Sequence, residues 1–301
     1  MGDFFASKLL VAHLPKTGGT SLSNCLYQLF ASRNRSSTLL GLERLSPEQQ
    51  LLVPCLNQVP YDLEYSYLVG GINQVCLPDW AAACLEKSSL VSGHFHSSID
   101  YLRAFSDCLS GSLSTNSLDV IITHRTNQAS WLKSVLKFTL IEASKACLSG
   151  KWDLFPVEWV SLSMMMRSPS VKPYQVYPFV VDVLIKSYKS KYFQSQVKYN
   201  ERALNVFRDS SANCRLYALD SSNINLFIDR LAGQFGFDFS PFSSINATPS
   251  VRPIDEKLDA ILADLIVELG DYIQFDKTGC EHLEDASASS ELISSIGMML
   301  R

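Results

Sequence analysis

Short apolar runs alternate along this chain with stretches of helical spacing, and that alternation sets the expected order of elements. Residues 9–14 are apolar but for His13, lack 3.6-residue spacing and are closed by Pro15, which predicts a short buried strand. Leu22, Cys25, Leu26 and Leu29 follow at helical spacing and predict a helix opened by Thr20 and Ser21, two residues suited to capping it. Residues 90–92, before Gly93 and His94, predict a second strand. The β-branched run 119–123 predicts a third, leading through His124 and Arg125 into a helix over about 128–147. Further on, Trp159, Leu162 and Met164 to Met166 form an apolar stripe that reads as core, with a pocket for a hydrophobic acceptor as the alternative. A helical region over about 180–208, a strand over 214–220 and a helix over 224–235 complete the pattern. Residues 32–87, with short helical patterns at 47–53 and 78–85, read as an insertion between the first two strands that faces an acceptor. The tail beyond Glu281 reads as a loosely held terminal helix.

The turn between the first strand and the first helix holds the most informative chemistry. Gly18 and Gly19 permit a tight turn and a close approach to a ligand. The N–H groups of the following helical turn, the positive end of its dipole, the hydroxyls of Thr17, Thr20 and Ser21 and the ammonium of Lys16 converge on one spot suited to a dianionic phosphate. Loops that bind ATP or GTP read G-x-x-x-x-G-K-[ST], with Lys after the glycines. Here Lys16 precedes them, so this is a different loop.

The run His13-Leu14-Pro15-Lys16-Thr17-Gly18-Gly19-Thr20-Ser21-Leu22 resembles the 5′-phosphosulfate loop of sulfotransferases. Those enzymes move the sulfuryl group of 3′-phosphoadenosine-5′-phosphosulfate (PAPS) to an acceptor. The carbohydrate, heparan-type branch often reads H-x-P-K-T-G-G-T-S-L, and residues 13–22 fit it at every position. The resemblance implies a three-layer, P-loop-like α/β fold over residues 1–301, with a central parallel sheet flanked by helices and ligand at the carboxyl ends of the strands. It implies PAPS as donor, no metal, and a hydroxyl acceptor that is a saccharide, a glycan or a small molecule. Lys16 would stabilise the leaving 5′-phosphate, and the N–H groups of Thr17, Gly18, Gly19, Thr20 and Ser21 would surround the phosphosulfate.

Two further stretches carry the same resemblance. Gly93-His94 matches a G-H element of the heparan-type enzymes and makes His94 the base, with His96 in reserve. An imidazole of ordinary pKa near about 6.5 can accept a hydroxyl proton at neutral pH. Arg125 matches the strand-end arginine that grips the 3′-phosphate, a task for which its planar fork is suited. The family commonly continues R-[DN]-P, with a serine eight residues after the arginine, whereas this chain reads Arg125-Thr126-Asn127-Gln128. Ser134, nine residues on, is assigned that role, with Ser130 and Lys133 as alternatives. Asn246 and Thr248, followed by Arg252, stand where a late nucleotide loop would lie, which makes Arg252 a further contact.

Composition narrows the picture. A chain of 301 residues with 47% hydrophobic content can bury one substantial core. A net charge of −4 argues against a nucleic-acid coat or a highly sulfated partner and favours a neutral or lightly charged acceptor. Lys186, Lys189, Lys191, Lys198 and Arg202 read as a solvated helix face. Eight scattered cysteines without a C-x-x-C pair suggest reduced thiols rather than zinc or redox chemistry. No apolar run approaches 18 residues and no leader pattern opens the chain, so a soluble, bacterial-type cytoplasmic enzyme without a membrane span is expected. A nucleotide phosphotransferase and a non-catalytic nucleotide- or glycan-binding protein on the same fold are the alternatives.

Overall fold

The structure, a computed structural model, describes residues 8–13, 16–40, 56–59, 87–94, 117–150, 156–189, 196–209, 213–239, 250–270 and 277–301. The predicted helical patterns at 47–53 and 78–85, His96, Lys191, Asn246 and Thr248 lie outside the described residues. In chain order the elements are β1 (Lys8–His13), α1 (Gly19–Ser32), β2 (Ser37–Leu40), β3 (Leu56–Val59), β4 (Leu90–His94), β5 (Ser117–His124), α2 (Gln128–Leu148), α3 (Val157–Arg167), α4 (Pro173–Lys189), α5 (Gln196–Asp209), β6 (Asn213–Asp220), α6 (Ile224–Phe235), α7 (Arg252–Leu269), β7 (Glu284–Asp285) and α8 (Ser290–Met299). They fall into two compact units, one of Met1–His124, Gln196–Ile245 and Gly279–Arg301, the other of Arg125–Ser195 and Asn246–Thr278.

The first unit is built on a seven-stranded sheet in the order β3-β2-β4-β1-β5-β6-β7, parallel throughout and flanked by helices. Strands covered on both faces need continuous apolar runs, and β1 is buried at every position while β5 is buried from Leu118 to Thr123. Residues 32–87 do more than form an insertion, because β2 and β3 extend the sheet beyond β4. Both strands have only four residues, and the polar ones among them conceal the strand pattern.

Helices α1, α6 and α8 bury their apolar residues together against the sheet. Leu22, Leu26, Phe30, Phe227, Leu231, Leu292 and Ile296 join Leu9, Val11, Ile121 and Tyr217 in one core. Helix α1 is buried on every side from Leu22 to Phe30, with the Tyr27 hydroxyl bonded to that of Ser92 in β4. The terminal helix is therefore an integral part of this core rather than a loose tail. The Ser289 hydroxyl caps α8 by accepting from Leu292 N–H at 3.1 Å, and Leu292 and Ile296 are fully buried.

A polar network fastens α8 to the sheet. Asp119, fully buried in β5, accepts from Arg215 Nε at 2.6 Å, Arg215 Nη2 at 2.9 Å and Ser295 Oγ at 2.5 Å. Arg215 also donates from Nη1 to Glu291 at 2.5 Å. One carboxylate thus links β5, β6 and α8 through paired, charge-assisted bonds. Cys25, Cys147, Cys214 and Cys280 are free thiols, and burial pushes Cys25 up to about 11 and Cys280 up to about 12, which keeps both protonated at neutral pH.

The second unit packs α2, α3, α4 and α7 on one another. Trp159, Leu162 and Met166 of the apolar stripe are buried, whereas Met164 is exposed. Lys257 Nζ, buried on α7, donates to the carbonyls of Met166 at 2.9 Å and Ser168 at 2.8 Å, a cation placed at the negative end of α3. Among the described residues no helix is long and apolar enough to cross a membrane.

Removing Arg215 would strand a buried carboxylate. Arg215→Met is expected to lower unfolding stability by about 3 kcal/mol, and Asp119→Asn in the same chain to restore part of it. Urea titration of the two variants reads the difference, and a loss below about 1 kcal/mol would show that the network does not bear on stability.

Candidate functional site

Four strands bring their carboxyl ends to one edge of the sheet. His13 ends β1 and pairs in register with His94 at the end of β4, while Thr123 lies opposite His13 on the other side. Beyond Thr123, His124 pairs in register with Asp220 at the end of β6. The loop that follows β1 lies on this edge.

Thr17, Gly18 and Gly19 each lie against a different neighbour. Lys16 has φ 66°, a left-handed conformation that costs an L-residue about 1–2 kcal/mol and persists only where the surroundings impose it. Thr17 is fully buried, and its Oγ1 shares a 2.6 Å hydrogen bond with Thr123 Oγ1 of β5. Gly18 has φ 78°, and a β-carbon there would run into the Ile224 side chain. Gly19 opens α1, and a β-carbon there would overlap the ring of His13. The close approach expected of the two glycines is thus already required by the protein itself.

The helix start differs from the sequence expectation. Gly18, not Thr20 or Ser21, is the N-cap, and no side chain caps α1. Thr20 and Ser21 stand half-buried in the first turn, and the first intrahelical bond runs from Leu22 N–H to the Gly18 carbonyl at 3.2 Å. That turn contains no acidic residue of its own. The Thr17 hydroxyl is bonded to that of Thr123.

A second turn, not singled out from sequence, completes the edge. Ile224, which touches Gly18, is the first residue of α6, whose Asn223 N-cap makes no side-chain cap and whose first turn also lacks an acid. Asp220 Oδ1 accepts from Ser222 N–H at 2.8 Å, Ser221 N–H donates to the His124 carbonyl at 2.8 Å, and Asn223 Nδ2 donates to Asp285 at 3.3 Å. The largely buried His124 has Nδ1 3.6 Å from Asp220 Oδ2. Burial holds its pKa below the usual 6.5, opposed by the carboxylates of Asp220, Glu281 and Asp285. The run Asp220-Ser221-Ser222-Asn223 before an amphipathic helix was a readable helix-start signal. The Thr17–Thr123 bond had none, since 106 positions separate the partners.

The residues assigned to the 3′-phosphate belong to the second unit. Arg125 opens it, half-buried, and Ser134 is half-buried on α2. Asn127 caps α2 by accepting from Ser130 N–H at 2.9 Å, and Lys133 is paired with Asp259 of α7. The Gln128 amide is fully buried and meets no hydrogen-bonding partner among the described residues. Arg252 is largely exposed and pairs with Glu256 at 2.7 Å. Lys186, on the predicted solvated face, pairs with Asp182 at 2.6 Å. No group of three or more His, Cys, Asp or Glu that could hold a metal occurs among the described residues. Comparison with protein-family models, with curated proteins and with solved structures finds no match to this chain.

Two outcomes follow from this geometry. Lys16→Gly relieves the left-handed strain and, after the entropy of glycine is subtracted, is expected to raise unfolding stability by about 0.5–1 kcal/mol, whereas Lys16→Ala gives no gain. Parallel urea or thermal unfolding checks this, and equal effects of the two substitutions would mean that the strain is absent. For His124 the folded pKa lies below the unfolded one, so the stability it contributes is complete above about pH 6.5 and is lost as the pH falls through the lower folded value. His124→Gln should flatten part of the decline in melting temperature between about pH 7 and about pH 5, and an unchanged profile would rule that assignment out.

Proposed function

We propose that this protein is a PAPS-dependent sulfotransferase on a P-loop-like α/β scaffold, acting on a hydroxyl of a saccharide, a glycan or a small molecule. The observation that supports it most directly is a lysine kept in a strained conformation beside an uncapped, acid-free helix start, at the carboxyl end of a fully buried central strand. Such a place suits the terminal phosphosulfate of the donor.

In this reading the acceptor oxygen attacks sulfur in line, and the bond from sulfur to the bridging oxygen of the 5′-phosphate breaks. Adenosine 3′,5′-bisphosphate leaves. Lys16 and the N–H groups of Thr17 to Ser21 stabilise the charge that collects on the 5′-phosphate. His94 takes the acceptor proton, an assignment resting on the Gly93-His94 resemblance and on its place in register with His13. The resemblance gives the 3′-phosphate to Arg125 and Ser134. His124 is the alternative base, because burial disfavours its charged form and Asp220 lies beside Nδ1.

Phosphotransfer fits less well. In loops that bind ATP with magnesium the hydroxyl after the lysine takes the metal, and the corresponding Thr17 hydroxyl is fully buried and bonded to Thr123.

Calorimetric titration with adenosine 3′,5′-bisphosphate is expected to show binding that is lost in Arg125→Ala and absent with ATP. Lys16→Ala should lower turnover about 100- to 1,000-fold, and His94→Ala should abolish transfer while sparing nucleotide binding. A preference for ATP, or no binding of the bisphosphate, would overturn the reading. Transfer that survives in His94→Ala and fails in His124→Ala would move the base to β5.

A further inference from the structure

A lysine in the left-handed region is held there by something other than its own preference, since the same chain with glycine at that position would be relaxed. Thr17 is fully exhausted of exposure, and its Oγ1 hydrogen-bonds Thr123 Oγ1 at 2.6 Å, so the peptide joining Lys16 to Thr17 is tied to β5. Thr123 is itself fully buried and sits in register opposite His13, the residue on which Gly19 rests. The two sides of the loop are therefore anchored to neighbouring positions of one rigid sheet. At Gly18 a β-carbon would meet the end of the Ile224 side chain.

We propose that Thr123 is a positioning residue that holds Lys16 in its left-handed conformation through the hydroxyl of Thr17, and so presets the ammonium toward the anion. The part of this inference that concerns the anion rests on the proposed function; the part that concerns the backbone does not. Neither threonine touches the ligand in this account. Their contribution is to place a group that does.

The test separates the two parts. Thr123→Val keeps the shape of the side chain and removes its hydroxyl, Thr123→Ser keeps the hydroxyl, and Thr17→Val removes the other partner of the same bond. Each is combined with Lys16→Gly and followed by urea unfolding. If Thr123 imposes the strain, the stabilisation brought by Lys16→Gly falls by half or more in the Thr123→Val and Thr17→Val backgrounds and is retained in Thr123→Ser. Equal stabilisation in all backgrounds overturns the proposal. Should Thr123→Val fail to fold, Thr17→Val decides by the same criterion.

Titration with adenosine 3′,5′-bisphosphate then reads the consequence for the ligand. Binding about 3- to 10-fold weaker in Thr123→Val, recovered in Thr123→Ser, is expected for the loss of one preorganising hydrogen bond. Undiminished binding in Thr123→Val overturns the positioning role even if the strain cycle succeeds. If the unaltered protein binds no bisphosphate, the sulfotransferase reading fails, while the unfolding cycle still decides whether Thr123 holds Lys16.

Discussion

The ring of His13 and the backbone of Gly19 lie so close that no side chain fits between them, and the rest of the site depends on that contact. His13 is the last residue of a strand buried on both faces, so its position is set by the sheet. Resting the first residue of α1 on it fixes where the helix begins and where its positive end lies. Five residues must then turn from strand to helix, which requires a left-handed backbone at Gly18 and also at Lys16. Glycine adopts that conformation freely and lysine does not. A hydrogen bond of ordinary strength, about 0.5–1.5 kcal/mol, together with packing at two glycines, is of the right size to offset a strain of about 1–2 kcal/mol.

The sheet of the first unit treats charge differently at different places. Within β5, Asp119 is buried but fully matched by Arg215 and Ser295, so its burial is compensated by short bonds. At the carboxyl edge, two helix starts meet at Gly18 and Ile224 with neither a side-chain cap nor an acid in the first turn.

Much of this architecture was legible in the residues. The predicted boundaries at 224–235 coincide with α6, and those of β1, α2 and β6 differ from the observed ones by a residue or so, because buried parallel strands and amphipathic helices have strong local periodicity. The loop was legible as a tight turn leading into a helix, though not the packing met at each glycine, since Ile224 lies about two hundred positions from Gly18. Strands β2 and β3 were too short and too polar to show themselves. The terminal helix was discounted for its serines and alanines, although Ser289 as cap and the spacing of Leu292, Ile293, Ile296 and Met299 marked an ordinary buried helix. What escaped altogether was long-range: the Thr17–Thr123 bond and the seat of Ser295 on Asp119 join segments that no local pattern connects.

That last seat bears on how the molecule is made. Helix α8 fills a core begun by β1, so residues near position 10 wait for residues near position 296 before their burial is complete. Every segment of the second unit, up to Thr278, is synthesised before α8 emerges. At translation rates of about 5–20 residues per second, the helical unit has its full set of partners first, and the sheet that carries the loop after β1 closes only afterwards. The order of assembly therefore runs opposite to the order in which the two units begin, and the nascent sheet stays incomplete on the ribosome for longer than its early start suggests.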